Sequence, residues 1–287
     1  MIESKISSHR EIRNACFDKI TIILHTRNRP GFLLRALNYY NNKIGKTGIN
    51  IIILDASDDY IWITLNDYLA KIDTTLNLTV LHHSSRISLV QRMAESLPLI
   101  KTPYIILAAD DDLYFFEWLE TAIDLLDEDS SFGVVYGHTL KFQLENYLPY
   151  GTHCRAFIDK VRNPPTRWLE GESAIERLAE LGNPDSDLAT AGWYALQREE
   201  LFKVIVTYAM ENRIDTRLFE KFLIFCQAAL YKTRMLDAIY LARQVNSDER
   251  RPPLSFKAEK KEIRKLIHVS AKILIECKGL DNKTAKK

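Results

Sequence analysis

Tyr104-Ile105-Ile106-Leu107-Ala108-Ala109-Asp110-Asp111-Asp112 is the stretch on which the fold turns. Six apolar residues are far fewer than the roughly 20 that a membrane-spanning helix needs. They suit a short strand buried on both faces, and the three carboxylates then mark the point where the chain leaves the core. The same grammar recurs upstream. Ile20 to His25 is a β-branched run followed by the polar loop Thr26-Arg27-Asn28-Arg29-Pro30-Gly31. Asn50 to Leu54 ends on Asp55 and a turn, Ser57-Asp58-Asp59. Leu78 to His82 ends at His83 to Arg86.

Between these runs the apolar spacing changes to that of helices. Phe32, Leu33, Ala36, Leu37 and Tyr40 form one stripe, a helical stretch runs from the Ser57 turn to about Lys71, and Leu89, Met93, Ala94 and Leu97 form another. Apolar strands alternating with helices predict a parallel sheet covered on both faces. Ligands of such sheets lie beyond the carboxyl ends of the strands. One crevice is therefore expected to gather Thr26 to Arg29, Asp55, His83 to Arg86 and Asp110 to Asp112.

Three adjacent carboxylates at the end of a buried strand repel one another and raise each other's pKa values. A hard divalent cation relieves that repulsion, and Mg²⁺ or Mn²⁺ commonly joins one or two carboxylates to substrate phosphates. The competing reading is an acidic turn that opens a helix from Leu113 to Leu126, where aspartates favour the dipole.

Taken together, these segments resemble the family 2 glycosyltransferases of GT-A fold. That family begins with a strand and a P-T-Y-N-R-P type loop, matched by His25-Thr26-Arg27-Asn28-Arg29-Pro30. An acidic residue after the second strand is matched by Asp55. A DXD element in a segment of the form F-L-D-A-D-D is matched by Leu107 to Asp112. The resemblance is good from about residue 20 to 125 and weak beyond.

The resemblance implies an α/β fold of GT-A type, a Rossmann-like mostly parallel sheet flanked by helices, with a helical C-terminal extension. It implies that Thr26, Arg27, Asn28, Arg29 and Asp55 contact the base and ribose of a sugar nucleotide, with Arg27 and Arg29 also able to reach phosphate. Asp110, Asp111 and Asp112 would hold the Mn²⁺ or Mg²⁺ that bridges the diphosphate, Asp110 also being a candidate for the ribose. Two departures bear on this. Ala109 stands where the family has the first acid of DXD, so the register here is alternatively Asp110-x-Asp112. Gln91 stands where many members carry an arginine, and Arg92 beside it is the nucleotide-binding candidate of that helix.

Inverting transfer needs a base for the acceptor hydroxyl, usually a carboxylate. The family places it in a Glu-Asp pair opening a late helix. The neighbourhood Asp215-Thr216-Arg217-Leu218-Phe219-Glu220-Lys221 looks like that pair, with Lys221 in place of the Asp. Glu220 is thus the first candidate for the base and Asp215 the second. Trp193 and Tyr194, with Trp168, are candidates for stacking on an acceptor sugar, with a core role weighed equally. His82, His83 and His25 read as structural. Arg243, Arg250 and Arg251 read chiefly as a solvated basic face, with folding over a diphosphate as the second reading.

Beyond Phe132 to Gly137 the alternation stops. Helical spacing returns in Glu172 to Leu181, Arg198 to Met210, Leu218 to Tyr231 and about Lys257 to Cys277, so the second half is expected to be mostly helical. The expected division is a glycosyltransferase domain over 1–240 and a helical extension over 241–287 packed on it.

Composition limits the partners. The 287 residues carry 39 Lys and Arg against 38 Asp and Glu, a net charge of +1, so no global field draws nucleic acid. Four scattered cysteines, Cys16, Cys154, Cys226 and Cys277, form no CxxC pair and read as reduced thiols. The charged first residues show no signal peptide, and a cytoplasmic chain is expected. The Lys-rich last helix has an apolar side, which allows peripheral contact with an anionic inner membrane face. Oligomeric state leaves no signature.

The leading expectation is a metal-dependent transferase moving a sugar from a nucleotide-sugar donor to a glycan or lipid-linked acceptor, with inversion, in surface polysaccharide biosynthesis. The alternatives are a nucleotidyltransferase, which should show a Gly-rich loop where this chain has only Gly31, and an inactive nucleotide- or glycan-binding module of the same fold.

Overall fold

The computed structural model describes residues 14–45, 47–72, 74–145, 148–151, 154–158, 169–181, 192–245 and 256–279. Its first half alternates strand and helix: β1 (Ile20–Thr26), α1 (Pro30–Ile44), β2 (Asn50–Asp55), α2 (Asp59–Leu69), β3 (Asn77–His82), α3 (Leu89–Ser96), β4 (Tyr104–Ala109), β5 (Leu113–Tyr114) and α4 (Leu119–Glu128). The second half adds β6 (Phe132–Leu144), β7 (Cys154–Ile158), α5 (Ala174–Leu181), β8 (Leu196–Arg198), α6 (Glu199–Glu211), α7 (Thr216–Leu230), β9 (Lys232–Gln244) and α8 (Phe256–Lys278).

The nine strands of the described residues join one sheet in the order β3-β2-β1-β4-β8-β6-β9-β5, with β7 paired to β6 off this path. β3, β2, β1 and β4 are mutually parallel, as their apolar character predicts. Ile22, Ile23, Leu24, Ile51, Ile53, Leu54 and Ile105 to Ala108 are wholly buried. Each such branched side chain contributes roughly 1.5–3 kcal/mol of burial. Pro30 opens α1, where its missing N–H costs nothing, and the stripe from Phe32 to Tyr40 faces the sheet.

Register sets the crevice. Thr26 pairs with Asp55 and Asp55 with His82, while Ala109 pairs with His25, so Asp110 emerges beside Thr26. β8 runs antiparallel to β4, which brings the residues just before it, Trp193 and Tyr194, back to the end where β4 stops. β6 is antiparallel to β8 and β9 parallel to β6, so β9 also delivers its last residues, Arg243 and Gln244, to that same end.

Two expectations change, and one is extended. The second half carries more helix than strand, as expected, but it also adds β8, whose three residues are too few for periodicity, and β9, which alternates buried and outward charged positions that dilute its apolar signal. The proposed boundary at 240 falls inside β9, and the helical part begins at Phe256. The helix expected from Leu113 starts at Leu119, since Leu113 and Tyr114 pair with Ala242 and Leu241 of β9. No helix among the described residues is long and apolar enough to cross a membrane. Trp168, Arg250 and Arg251 lie outside the described residues.

Candidate active site

The loop after β1 is fixed to the turn after β2. Asn28 has φ 56°, a left-handed backbone that asparagine tolerates better than most side chains. Its amide clamps Asp58, donating to Oδ2 at 2.9 Å and accepting the Asp58 N–H at 2.8 Å, and its own N–H donates to Ser57 Oγ at 2.9 Å. Arg27 is exposed beside this clamp.

Asp55 is fully buried. It accepts the Ser57 N–H at 3.1 Å and the Ser57 hydroxyl at 2.6 Å, and His82 Nδ1 meets its Oδ2 at 2.6 Å. The His82 ring lies flat on Trp62, with centroids 4.3 Å apart and planes 4° from parallel. His83, one residue on, turns to Glu95 at 2.9 Å. Arg92 is buried and donates to the Leu54 carbonyl at 2.9 Å, so it braces the end of β2.

The second part of the site is built around the three aspartates. Thr26 donates to Asp110 at 2.6 Å, and the Arg29 guanidinium spans Asp110 at 3.1 Å and Asp111 at 3.0 Å while resting on the Phe32 ring. Arg35 is buried and donates to the Asp111 carbonyl at 2.6 Å, to Gln244 Oε1 at 2.6 Å and to the Pro149 carbonyl at 2.8 Å. Asp112 accepts the Tyr194 hydroxyl and the Gln244 N–H. Arg243 is half-buried, within electrostatic reach of Asp112, Glu220 and Asp111. Its expected place on a solvated face is corrected, because β9 carries it into the crevice.

Burial dominates the electrostatics. It pushes Asp110 up to about 7, against the pull of Arg29, and Asp112 up to about 8, with Asp111 adding repulsion to both. Glu220, one turn into α7, is also raised by burial, with Arg243 and Lys221 opposing. Asp215 behaves differently. It caps α7 by accepting the Arg217 N–H at 2.9 Å, and the Arg217 guanidinium holds it down at about 2.

Trp193 and Tyr194 are 9% and 6% exposed. The Trp193 ring meets His25 and Phe219 edge-on, and Tyr194 faces Asp112. Both rings are enclosed, so neither offers a face for stacking on an acceptor. Arg35, Gln244 and the His82–Trp62 stack escaped the sequence reading. Arg35 did leave a signal, since it sits three residues after Phe32, on the apolar side of α1.

A hard cation suits part of this donor set. Among the described residues no three Asp, Glu, His or Cys side chains are grouped as a metal centre. Asp112 faces away, toward Tyr194 and Gln244. Asp110 and Asp111 are the pair that one cationic group already touches together, and two carboxylates plus phosphate oxygens suffice for Mg²⁺ or Mn²⁺.

Fold and site together define an α/β enzyme of the GT-A glycosyltransferase type. A family model described as glycosyl transferase family 2 matches residues 21–203, well over half of the chain, and the protein belongs to that family. No curated protein sequence matches it significantly. Among solved structures it is similar to S. aureus TarS, with TM-score 0.55 and 14% identity over 93% of this chain and 41% of that one. It is similar also to TarS 1-349 in complex with UDP-GlcNAc, with TM-score 0.54 and 15% identity over 93% of this chain and 69% of that one. At such identities the likeness is one of fold, and the chain spans less than half of the longer TarS chain.

Proposed function

We propose that this glycosyltransferase takes its sugar from a nucleoside-diphosphate donor bound across the ends of β1, β2, β3 and β4, and transfers it with inversion to a hydroxyl of a glycan or lipid-linked glycan. The observation that carries the reading is the pairing of Asp110 and Asp111 on one guanidinium beside the Thr26 to Arg29 loop. This is where a diphosphate and its counter-charges belong in a sheet of this topology. TarS, similar in fold, has been solved with UDP and with UDP-GlcNAc, which supports a nucleotide-sugar donor here.

Asp110 and Asp111 are the residues that would hold Mn²⁺ or Mg²⁺, which when bound lowers the charge on the leaving diphosphate. Arg29 and the exposed Arg27 are the chain's own counter-charges for phosphate oxygens. Glu220 accepts the proton of the acceptor hydroxyl as its oxygen attacks the anomeric carbon, and the bond from that carbon to the β-phosphate oxygen breaks. A carboxylate raised by burial is better matched to that proton than one held at about 2, which favours Glu220 over Asp215. Peripheral membrane contact through the lysine-rich α8 and a role in surface polysaccharide assembly complete the proposal.

The test is release of nucleoside diphosphate from a panel of sugar nucleotides with Mn²⁺. Asp111→Asn is expected to lower turnover by roughly 10²–10³ through loss of charge stabilisation. Glu220→Gln is expected to lose on the order of 10²–10⁴ in kcat with donor binding unchanged. Transfer by Glu220→Gln at the wild-type rate would remove Glu220 from the role.

A further inference from the structure

We infer that His82, not Asp55, is the residue that meets the nucleotide base, and that it selects bases carrying a ring N–H. The inference rests on the nucleotide-donor reading above and deepens it.

Asp55 has no exposed surface, and three donors already occupy its carboxylate: the Ser57 N–H, the Ser57 hydroxyl and His82 Nδ1. A base cannot reach it without displacing one of them. His82 ends β3 directly opposite Asp55 in the register, at the same edge of the crevice, and its side chain keeps 23% of its surface exposed. The imidazole therefore stands between the carboxylate and the ligand. Trp62 lies flat against one face of the ring and, with the bond to Asp55, sets its orientation. Asp55 and Trp62 act as positioning residues.

Chemistry follows from the tautomer. A carboxylate only accepts, so the nitrogen facing Asp55 carries the proton. In the neutral ring the far nitrogen, Nε2, is then a lone-pair acceptor. Uracil and thymine present N3–H at their pairing edge, and guanine presents N1–H. Cytosine N3 and adenine N1 are acceptors and would face Nε2 lone pair to lone pair. A histidine in this place thus favours uridine, thymidine or guanosine diphosphates over cytidine and adenosine diphosphates.

The experiment measures binding of UDP, dTDP, GDP, CDP and ADP by titration calorimetry in Mn²⁺. It then compares UDP with N3-methyl-UDP on wild type, His82→Phe and His82→Gln, each checked for a cooperative melt. Wild type is expected to prefer UDP to CDP, and UDP to its N3-methyl form, by about tenfold, the worth of one hydrogen bond. His82→Phe keeps a ring on Trp62 but no acceptor, and is expected to bind UDP about tenfold more weakly and to discriminate against neither analogue. His82→Gln, which restores an amide oxygen, is expected to recover part of the preference, and it carries the test if the Phe variant does not fold. Tighter binding of CDP or ADP by wild type would overturn the inference. So would a methyl penalty that survives in His82→Phe, since the base would then meet Asp55 itself, while the donor reading would stand. Failure of wild type to bind any of the five diphosphates would sink the donor reading and this inference together.

Discussion

Asp55 and Asp112 both end up buried at the carboxyl edge of one sheet, yet the groups that hold them differ in kind and in origin. Asp55 is held by Ser57, two residues away, and by His82 at the end of the neighbouring strand. The surrounding Asn28 to Asp58 clamp is equally a matter of adjacent βα units. Asp112 is held by Tyr194, just before β8, and by Gln244, at the end of β9, both far along the chain, and its neighbours are served by Arg29, Arg35 and Arg243. One side of the crevice is a local hydrogen-bonded scaffold. The other is a buried ionic assembly of three carboxylates and three guanidiniums, closed only when β8 and β9 are in place. A scaffold of short-range bonds keeps its shape piece by piece, whereas a buried ionic assembly fails as a whole when one charge is removed.

That contrast is most exposed to attack at Arg35, whose three hydrogen bonds tie α1 to Asp111, Gln244 and Pro149. Arg35→Met removes a buried cation and leaves those acceptors and the nearby carboxylates unsatisfied. A loss of about 3–5 kcal/mol is expected. Ser57→Ala on the other side is expected to cost only about 1 kcal/mol. Urea unfolding of the two variants measures both. Similar losses would show that the two sides are not different in kind.

Titration sharpens the same point. Asp110 and Asp112 lie at about 7 and about 8 in the folded chain, above the ordinary carboxylate value of 3.8, so the folded state holds those protons more tightly than the unfolded one. Stability from this source is full below the ordinary value and is lost as pH rises toward 8. The metal-free protein should therefore melt lower at about pH 8 than at about pH 5, by a few kcal/mol at about 1.4 kcal/mol per tenfold preference for the proton. Asp112→Asn should flatten the profile. Added Mn²⁺ should stabilise more at the higher pH, because binding needs the carboxylates deprotonated. Parallel melting curves for wild type and Asp112→Asn across this range would refute the assignment of the strain to the cluster.

The same divide explains what the sequence could disclose. β1 to β4 were legible as apolar runs with polar ends, and Asp55, the loop from Thr26 to Arg29 and the three aspartates fell where the runs stopped. The shield over Asp55 was less legible. His82 ends β3 and His83 follows it, and the two side chains part, one to Asp55 and the other to Glu95. The ionic side was least legible. Arg243 and Gln244 belong to a site only because β9 pairs with β6 and β5, and strand pairing across such separations leaves no local pattern. Tyr194 arrives through β8, whose three residues carry too little periodicity to be seen. Arg35 alone among these was marked, by its place on the apolar face of α1.

The smallest effect tests whether the local scaffold is as modular as its bonds imply. Asn28 contributes two separable things, a backbone held at φ 56° and an amide that clamps Asp58. Asn28→Gly loses the amide and keeps the freedom to adopt that backbone, while its N–H still reaches Ser57. Asn28→Ala loses the amide and, unlike the glycine variant, keeps a Cβ in the left-handed region with no polar side chain to ease it there, a difference of about 1–2 kcal/mol. The expected costs are about 1 kcal/mol for Gly and about 1–2 kcal/mol more for Ala. Donor affinity should fall only a few-fold in either variant, since Asp55 keeps its bonds to Ser57 and His82. Equal losses for Gly and Ala would mean that the loop relaxes to another backbone when the clamp is gone. The clamp would then hold the loop conformation, and the base side of the crevice would be as cooperative as the ionic side.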